Sequence, residues 1–448
     1  MPRLGANFTY YTFENKLDHF DPLNTATYKQ RYAVDASAWS PGGPIFIFLS
    51  GEAPMEFFEF QEVSAVNWAH HFGAQYISLE HRYYGESNPV PDYSTDNMRY
   101  LSSRQALADA AEFIVEYNKT LEHPGDWVVF GCSYSGALSS WFRAKYPNLV
   151  VASIAPSGPV QAESNFTTFL GQFSKSAAPT CVSAVATAVE AISVLLQTSA
   201  GRASLAKTFN TCEPIEASNY NHFLSALALT IGSADQMDNP SNEGQPWLLN
   251  TTCDLLTRKG DIVANFAAAY DLNVGEAGAT QCNNFQLSNF ISELQNTSVA
   301  ATSADRSWWF QKCTEFGFFK PTYANTSVFW APLPVEKISA YCAMIFGIPN
   351  MQPNTENTNS YYGGYDLQAS NVLFTNGLLD PWHLLSITED QTPTQQSYVQ
   401  AVTYEAGHCA PMTTPTANDP PSLKAARQKV ESFLGGILGI TPETSFQN

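Results

Sequence analysis

Three short stretches carry side chains that together can transfer an acyl group. Gly131-Cys132-Ser133-Tyr134-Ser135-Gly136 sits between the apolar run Trp127–Phe130 and the helix-like run 137–146. That is the sequence form of a serine held on a tight strand-to-helix turn. Gly131 and Gly136 let strand and helix approach closely, and the N-terminus of the following helix favours negative charge beside the serine. Ser133 is therefore the candidate nucleophile. Asp380 lies in the loop Asn376-Gly377-Leu378-Leu379-Asp380-Pro381-Trp382-His383 after the apolar run 371–375, and His408 follows the next such run, Val399–Tyr404. The chain order Ser, Asp, His, each after its own strand, is that of an α/β hydrolase.

A serine hydroxyl is a weak nucleophile at its own pKa. His408 is accordingly assigned as general base, and Asp380 as the carboxylate that fixes the imidazole tautomer and stabilises the imidazolium. The oxyanion needs preorganised donors: the backbone N–H of Tyr134 is one, and the second is placed at Glu52, in the loop Ser50-Gly51-Glu52-Ala53-Pro54. His383 competes with His408, but three residues past Asp380 it suits a helix start. His70 and His71 close an amphipathic run, where a cationic side chain suits the helix dipole, and read as structural. No metal or other cofactor is expected.

Continuous apolar runs at 44–49, 75–80, 127–130, 150–155, 371–375 and 399–404 read as strands covered on both faces. Amphipathic segments at 61–71, 103–118, 137–146 and 422–434 alternate with them, which predicts an α/β-hydrolase fold with a mostly parallel sheet flanked by helices. The alternation stops near Pro159 and resumes near Asn371. The intervening stretch has helical patterns at 182–196 and 220–229, a long polar loop at 350–365, and six of the eight cysteines. It reads as a helical, disulfide-stapled cap over the carboxyl edge of the sheet. The expected division is core 1–159 with the nucleophile, cap 160–368, and core 369–448 with Asp380 and His408.

The 448 residues are 44% hydrophobic and 14% charged, which supplies an ample core. Lys plus Arg number 22 against 41 Asp plus Glu, a net charge of −19. Such a surface repels phosphate backbones, so no nucleic-acid partner is expected. The cysteines at 132, 181, 212, 253, 282, 313, 342 and 409 include no C-x-x-C pair and read as disulfides rather than a zinc site. Cys132 and Cys409 each neighbour a catalytic candidate and either pair or stay free. Six N-x-[ST] sequons begin at Asn7, Asn118, Asn165, Asn250, Asn296 and Asn325. With an even cysteine count they point to the secretory pathway, and so to a secreted or lysosomal (vacuolar) protein. Met1-Pro2-Arg3-Leu4-Gly5 lacks an apolar h-region, so a signal peptide is expected to be missing from this sequence. No uninterrupted apolar stretch approaches the roughly 18 to 20 residues that span a bilayer, so no membrane span is expected.

The chain resembles the family of prolyl carboxypeptidase, dipeptidyl peptidase II and thymus-specific serine protease. The resemblance rests on Leu17-Asp18-His19-Phe20, Glu80-His81-Arg82-Tyr83-Tyr84-Gly85-Glu86-Ser87, Tyr100-Leu101-Ser102-Ser103, the Ser133 turn, Asn376-Gly377 through Asp380-Pro381-Trp382, and Gly407-His408. It implies an α/β-hydrolase core, a helical cap inserted after the nucleophile half, a triad at Ser133, Asp380 and His408, and cleavage after proline. The common family turn reads G-G-S-Y-G-G; here Cys132 and Ser135 replace two glycines, which bears on pocket shape rather than on catalysis.

Proline offers no N–H and has a fixed φ, so its recognition needs an apolar box around the ring. Trp382 is the expected wall, with Gly51 and Glu52 also lining the substrate site. Glu52 can pair with a substrate's amino terminus, and Arg82 or Arg143 with a carboxylate. The expected partners are proline-containing peptides, cut as an Xaa-Pro dipeptidyl or Pro-Xaa carboxypeptidase, with endopeptidase action and a homodimer left open. An esterase or lipase of the same fold is the rival enzyme class. A non-catalytic binding protein is the other rival, and retention of all three catalytic residue types argues against it.

Overall fold

The run Ile45–Leu49 alternates its side chains between two cores. In the computed structural model this strand, β3, is buried along its length: Ile45, Ile47 and Leu49 join one apolar cluster, and Phe46 and Phe48 join another. A period of two therefore feeds both faces of the sheet. β5 (Trp127–Phe130) divides the same way, Trp127 and Val129 against Val128 and Phe130. The structure describes residues 8–218, 220–240, 247–275, 281–299, 304–322, 327–329, 333–391 and 398–440, with backbone only at 59 and 60.

With β1 (Thr9–Lys16), β2 (Thr27–Asp35), β4 (Gln75–Leu79), β6 (Ala152–Pro156), β7 (Val372–Gly377) and β8 (Val399–Tyr404), the sheet runs β1-β2-β4-β3-β5-β6-β7-β8. β2 pairs antiparallel with β1 and β4, and the other neighbours are parallel. This is an α/β-hydrolase fold. The hairpin β1–β2 escaped the sequence reading because β1 is a largely exposed edge and lacks the continuous apolar run of a covered strand. Helix α1 (Glu59–His71) and the C-terminal helix Pro421–Leu438 cover one face. α2 (Ser103–Asn118) and α3 (Tyr134–Lys145) cover the other.

Between β6 and β7 the chain is mainly helical, from Phe173–Ser176 to Thr355–Tyr362. Disulfides Cys181–Cys253, Cys212–Cys282 and Cys313–Cys342 staple it. The expected loop at 350–365 is corrected. It contains the helix Thr355–Tyr362, begun by the Asn354 side chain accepting from the Asn357 N–H, and its Tyr362 ring stacks 4.1 Å from that of Trp141 in α3. A polar two-turn helix that buries only two side chains leaves no apolar periodicity to find. Helix Pro179–Leu196 is long and apolar enough to cross a membrane by length and composition. It turns the stripe Cys181, Val185, Ala188, Ile192 and Leu196 inward, and its disulfide joins it to the helix Leu248–Thr257.

The edge of the core near β1 and β2 is locked by buried charge. Asp109 accepts from Arg82 Nε and Nη2 at 2.6 Å each, from the Tyr28 hydroxyl at 2.9 Å, and lies 2.8 Å from His19 Nε2. Arg82 spends its other donors on the carbonyls of Lys16, Leu17 and Tyr100. Burial alone would raise the Asp109 carboxyl, but Arg82 and then His19 hold it below the usual range. Asp109→Ala would strand a fully buried guanidinium. Urea unfolding should report a loss of about 3 to 5 kcal/mol; a loss below about 1 kcal/mol, the scale of an exposed pair, would show that the pair does not hold this edge.

Candidate active site

Ser133 connects β5 to α3 with φ 63° and ψ −131°. A non-glycine residue there stores roughly 1 to 3 kcal/mol of strain, which the surroundings must impose. They do so by crowding: a Cβ on Gly131 would stand 2.0 Å from the Ser135 carbonyl oxygen, and one on Gly136 2.5 Å from that of Pro156. The Ser133 N–H donates to the Pro156 carbonyl at 3.1 Å, and its side chain makes no capping bond to α3. Tyr134 is the first residue of α3, so its N–H is one of the helix donors without an intrahelical acceptor.

Asp380 begins the short helix Pro381–Leu385 and is fully buried. One carboxylate oxygen accepts from the Trp382 N–H at 3.1 Å, and the other lies 2.7 Å from His408 Nδ1. The carboxylate is thus oriented by the backbone and orients the imidazole in turn. The Ser133 hydroxyl and the His408 ring form no hydrogen bond among the described residues; such bonds commonly tighten only with substrate in place.

A covalent bond joins the Ser133 turn to the His408 loop. Cys132 and Cys409 form a disulfide with a Cα–Cα distance of 6.0 Å, joining the residue before the serine to the residue after the histidine. A His408 ring nitrogen and both sulfurs lie within 4.8 Å of one another. With both sulfurs bonded to each other, the group offers no thiolate to a metal. Segment 235–239 of the helical insertion also holds the histidine loop: the His408 N–H donates to the Gln236 carbonyl at 2.7 Å, the Gly407 N–H to the Asp238 carbonyl at 2.9 Å, and Asn239 Nδ2 donates to the His408 carbonyl at 2.9 Å.

Glu52 is partly buried, and its Oε2 is fully buried without a hydrogen-bond partner among the described residues. Burial raises its carboxyl above the ordinary range, opposed by its own N–H and by His408, which places it at the site. Gly51 lies against the serine turn, since a Cβ there would stand 3.5 Å from Ser135 Cβ. Trp382 is nearly buried in a cluster with Phe166, Phe169 and Phe318, ring centroids 5.6, 5.6 and 5.2 Å away. The carboxylate-binding roles considered for Arg82 and Arg143 are overturned. Arg82 is committed to Asp109, and Arg143 donates to the carbonyls of Pro147, Val150 and Ser370. His383 Nδ1 binds the Asp380 carbonyl, His70 pairs with Asp35, and His71 sits 2.9 Å from Glu431. Of the sequons, Asn165, Asn250 and Asn296 are exposed, Asn118 is half-buried and accepts from the Trp127 indole, and Asn7 and Asn325 lie outside the described residues.

Sequence reasoning missed a neutral relay that fixes Tyr134. Gln311 Nε2 donates to the Tyr134 hydroxyl at 2.8 Å, which is 3.0 Å from His81 Nε2, while His81 Nδ1 is 2.7 Å from the Arg82 carbonyl. A carbonyl only accepts, so Nδ1 carries the proton and Nε2 accepts from Tyr134. Burial lowers His81 to about 4, which keeps it neutral. The one signal was the polar-aromatic run Glu80 to Tyr84.

Fold and geometry define a serine hydrolase built on an α/β-hydrolase sheet. The chain belongs to the serine carboxypeptidase S28 family, whose model matches residues 15–430. It is 31% identical to human thymus-specific serine protease over 455 residues, 97% of this chain and 87% of that one. It is 29% identical to human lysosomal Pro-X carboxypeptidase over 457 residues, 95% and 88% of the two chains. The protein is therefore a serine peptidase of this family.

Two predictions follow from how the histidine loop is held. Burial lifts Asp235 to about 8, with a bond from the Gln236 N–H opposing and nearby Asp380 adding, and lifts Asp238 to about 6. Carboxyls raised in the folded state bind protons that the unfolded chain has already lost, so their contribution to stability falls as pH rises from about 4 to about 8. Melting temperatures should fall over that window and fall less in Asp235→Asn; equal slopes would refute the assignment. Replacing Cys132 and Cys409 together by Ala should lower kcat/KM by about 10- to 100-fold in the folded protein, the scale of a small misplacement of reacting groups. Unchanged kcat/KM would show that the disulfide does not position them.

Proposed function

We propose a peptidase of the secretory pathway or lysosome that hydrolyses the bond after proline through an acyl-enzyme on Ser133. The observation that carries this reading is the 2.7 Å His408–Asp380 hydrogen bond, set beside a serine at positive φ and joined to its turn by a disulfide. His408 takes the Ser133 proton as Oγ attacks the scissile carbonyl and returns it to the leaving amine; water then repeats the sequence on the ester. Asp380 keeps the proton on Nδ1 throughout. The N–H groups of Tyr134 and Glu52 receive the oxyanion. Residues 1–159 and 369–448 form the core, and 160–368 caps the cleft.

Preference for proline is supported by the aromatic cluster around Trp382, beside Asp380, and by the name of the Pro-X carboxypeptidase relative. The edge of that cluster is the apolar wall that a ring without an N–H requires. Release of an Xaa-Pro dipeptide is a second reading, favoured by the unpartnered Glu52 oxygen, which can take a substrate's amino terminus. Four disulfides and exposed sequons suit an oxidising compartment. Ser133→Ala should cut turnover of a proline-containing fluorogenic peptide by about 10³- to 10⁶-fold. Turnover retained within tenfold would remove Ser133 from the mechanism.

A further inference from the structure

Inside the helical insertion is a chamber of about 430 Å³, the size of a small-ligand site. Its walls are largely apolar, with Phe290, Trp309, Phe318 and Tyr341 among them, yet Lys312 and Lys320 both line it. Lys312 Nζ stands 3.9 Å from the Trp309 ring centroid, and Lys320 Nζ stands 3.6 Å from that of Phe169 and 5.0 Å from that of Trp382. Neither lysine has an ion-pair or hydrogen-bond partner among the described residues. Ring faces hold an ammonium without neutralising it, so its donors remain for an anion.

The two charges also oppose one another. Burial lowers Lys312 to about 8, and burial with the charge of Lys312 lowers Lys320 to about 7. Two such lysines lining one chamber stand out in a chain of net charge −19. His222 adds to the lining a buried Nδ1 with no partner among the described residues. Cations set in aromatic walls are the complement of a carboxylate carried on an apolar residue. The chamber adjoins the catalytic cleft: Lys320 lies over Trp382, two residues from Asp380, and feels the carboxylates of Asp380 and Asp235.

We propose that this chamber binds the carboxyl-terminal residue of the peptide substrate, with Lys312 and Lys320 meeting its carboxylate and Phe290, Trp309 and Phe318 its apolar side chain. The proposal rests on the peptidase reading and supplies the carboxylate partner that Arg82 and Arg143 cannot. It makes the enzyme's choice of chain end a property of the cap.

The test reads binding, so it stands apart from turnover. Full-length Ser133→Ala protein is titrated by calorimetry with a peptide ending in Pro-Phe, either as the free acid or as the amide. The acid should bind about tenfold or more tightly than the amide, the scale of charge-assisted hydrogen bonds. Adding Lys312→Met and Lys320→Met together should erase the difference, and Lys312→Arg with Lys320→Arg should retain most of it, with melting temperatures confirming that each variant is folded. Equal binding of acid and amide, or a preference that survives the Met pair, would overturn the proposal. Acid preference in the Ser133→Ala protein, with an unmutated enzyme that hydrolyses no prolyl peptide, would sink the proline reading while leaving the chamber's chemistry intact.

Discussion

The residue before Ser133 and the residue after His408 are bonded to one another across 277 positions of sequence. Ser133 is fixed by β5 and α3, whereas His408 lies beyond β8, two strands past β6 and after the whole helical insertion. A parallel sheet delivers both to its carboxyl edge, but only to within loop freedom. The Cys132–Cys409 bridge removes that freedom, and Asp380 then needs only to set the ring's orientation. Imposing φ 63° on Ser133 is affordable because glycines at 131 and 136 let the backbone of neighbouring elements close around it.

The helical insertion bonds directly to the residues of the candidate site. Segment 235–239 exchanges backbone bonds with Gly407 and His408, and Gln311 reaches through Tyr134 to His81. Any displacement of the insertion therefore acts on His408 and on the first turn of α3 together. The acids on this grip, Asp235 and Asp238, hold their protons well above the usual carboxylate range. The contact between the insertion and the sheet core is therefore stronger at acidic than at neutral pH.

The central strands were legible because burial on both faces forces continuous apolar runs, as at 45–49 and 127–130. The positions of Ser133, Asp380 and His408 after strands were legible because each follows such an apolar run, and the structure adds the bond between Asp380 and His408. The edge hairpin β1–β2 was not, since an exposed edge carries no covered-strand pattern, nor was the polar helix Thr355–Tyr362. Arg82 looked like a ligand for carboxylates, and only three-dimensional contact with Asp109 reveals it as a structural ion. The lysines of the cap chamber left no trace either: Lys312 and Lys320 are eight positions apart, and what makes them unusual is the aromatic enclosure and the missing counter-charges, neither of which is local in sequence.

The central claim is that a hydroxyl, an imidazole and a carboxylate from three distant stretches act as one unit. A crystal structure of the protein after reaction with a fluorophosphonate tests it most directly. The account predicts phosphorus bonded to Ser133 Oγ, His408 Nε2 within hydrogen-bond distance of the adduct, and the Asp380 bond to Nδ1 intact. Phosphorus on another residue, or on Ser133 with His408 turned away and joined to no part of the adduct, would contradict it.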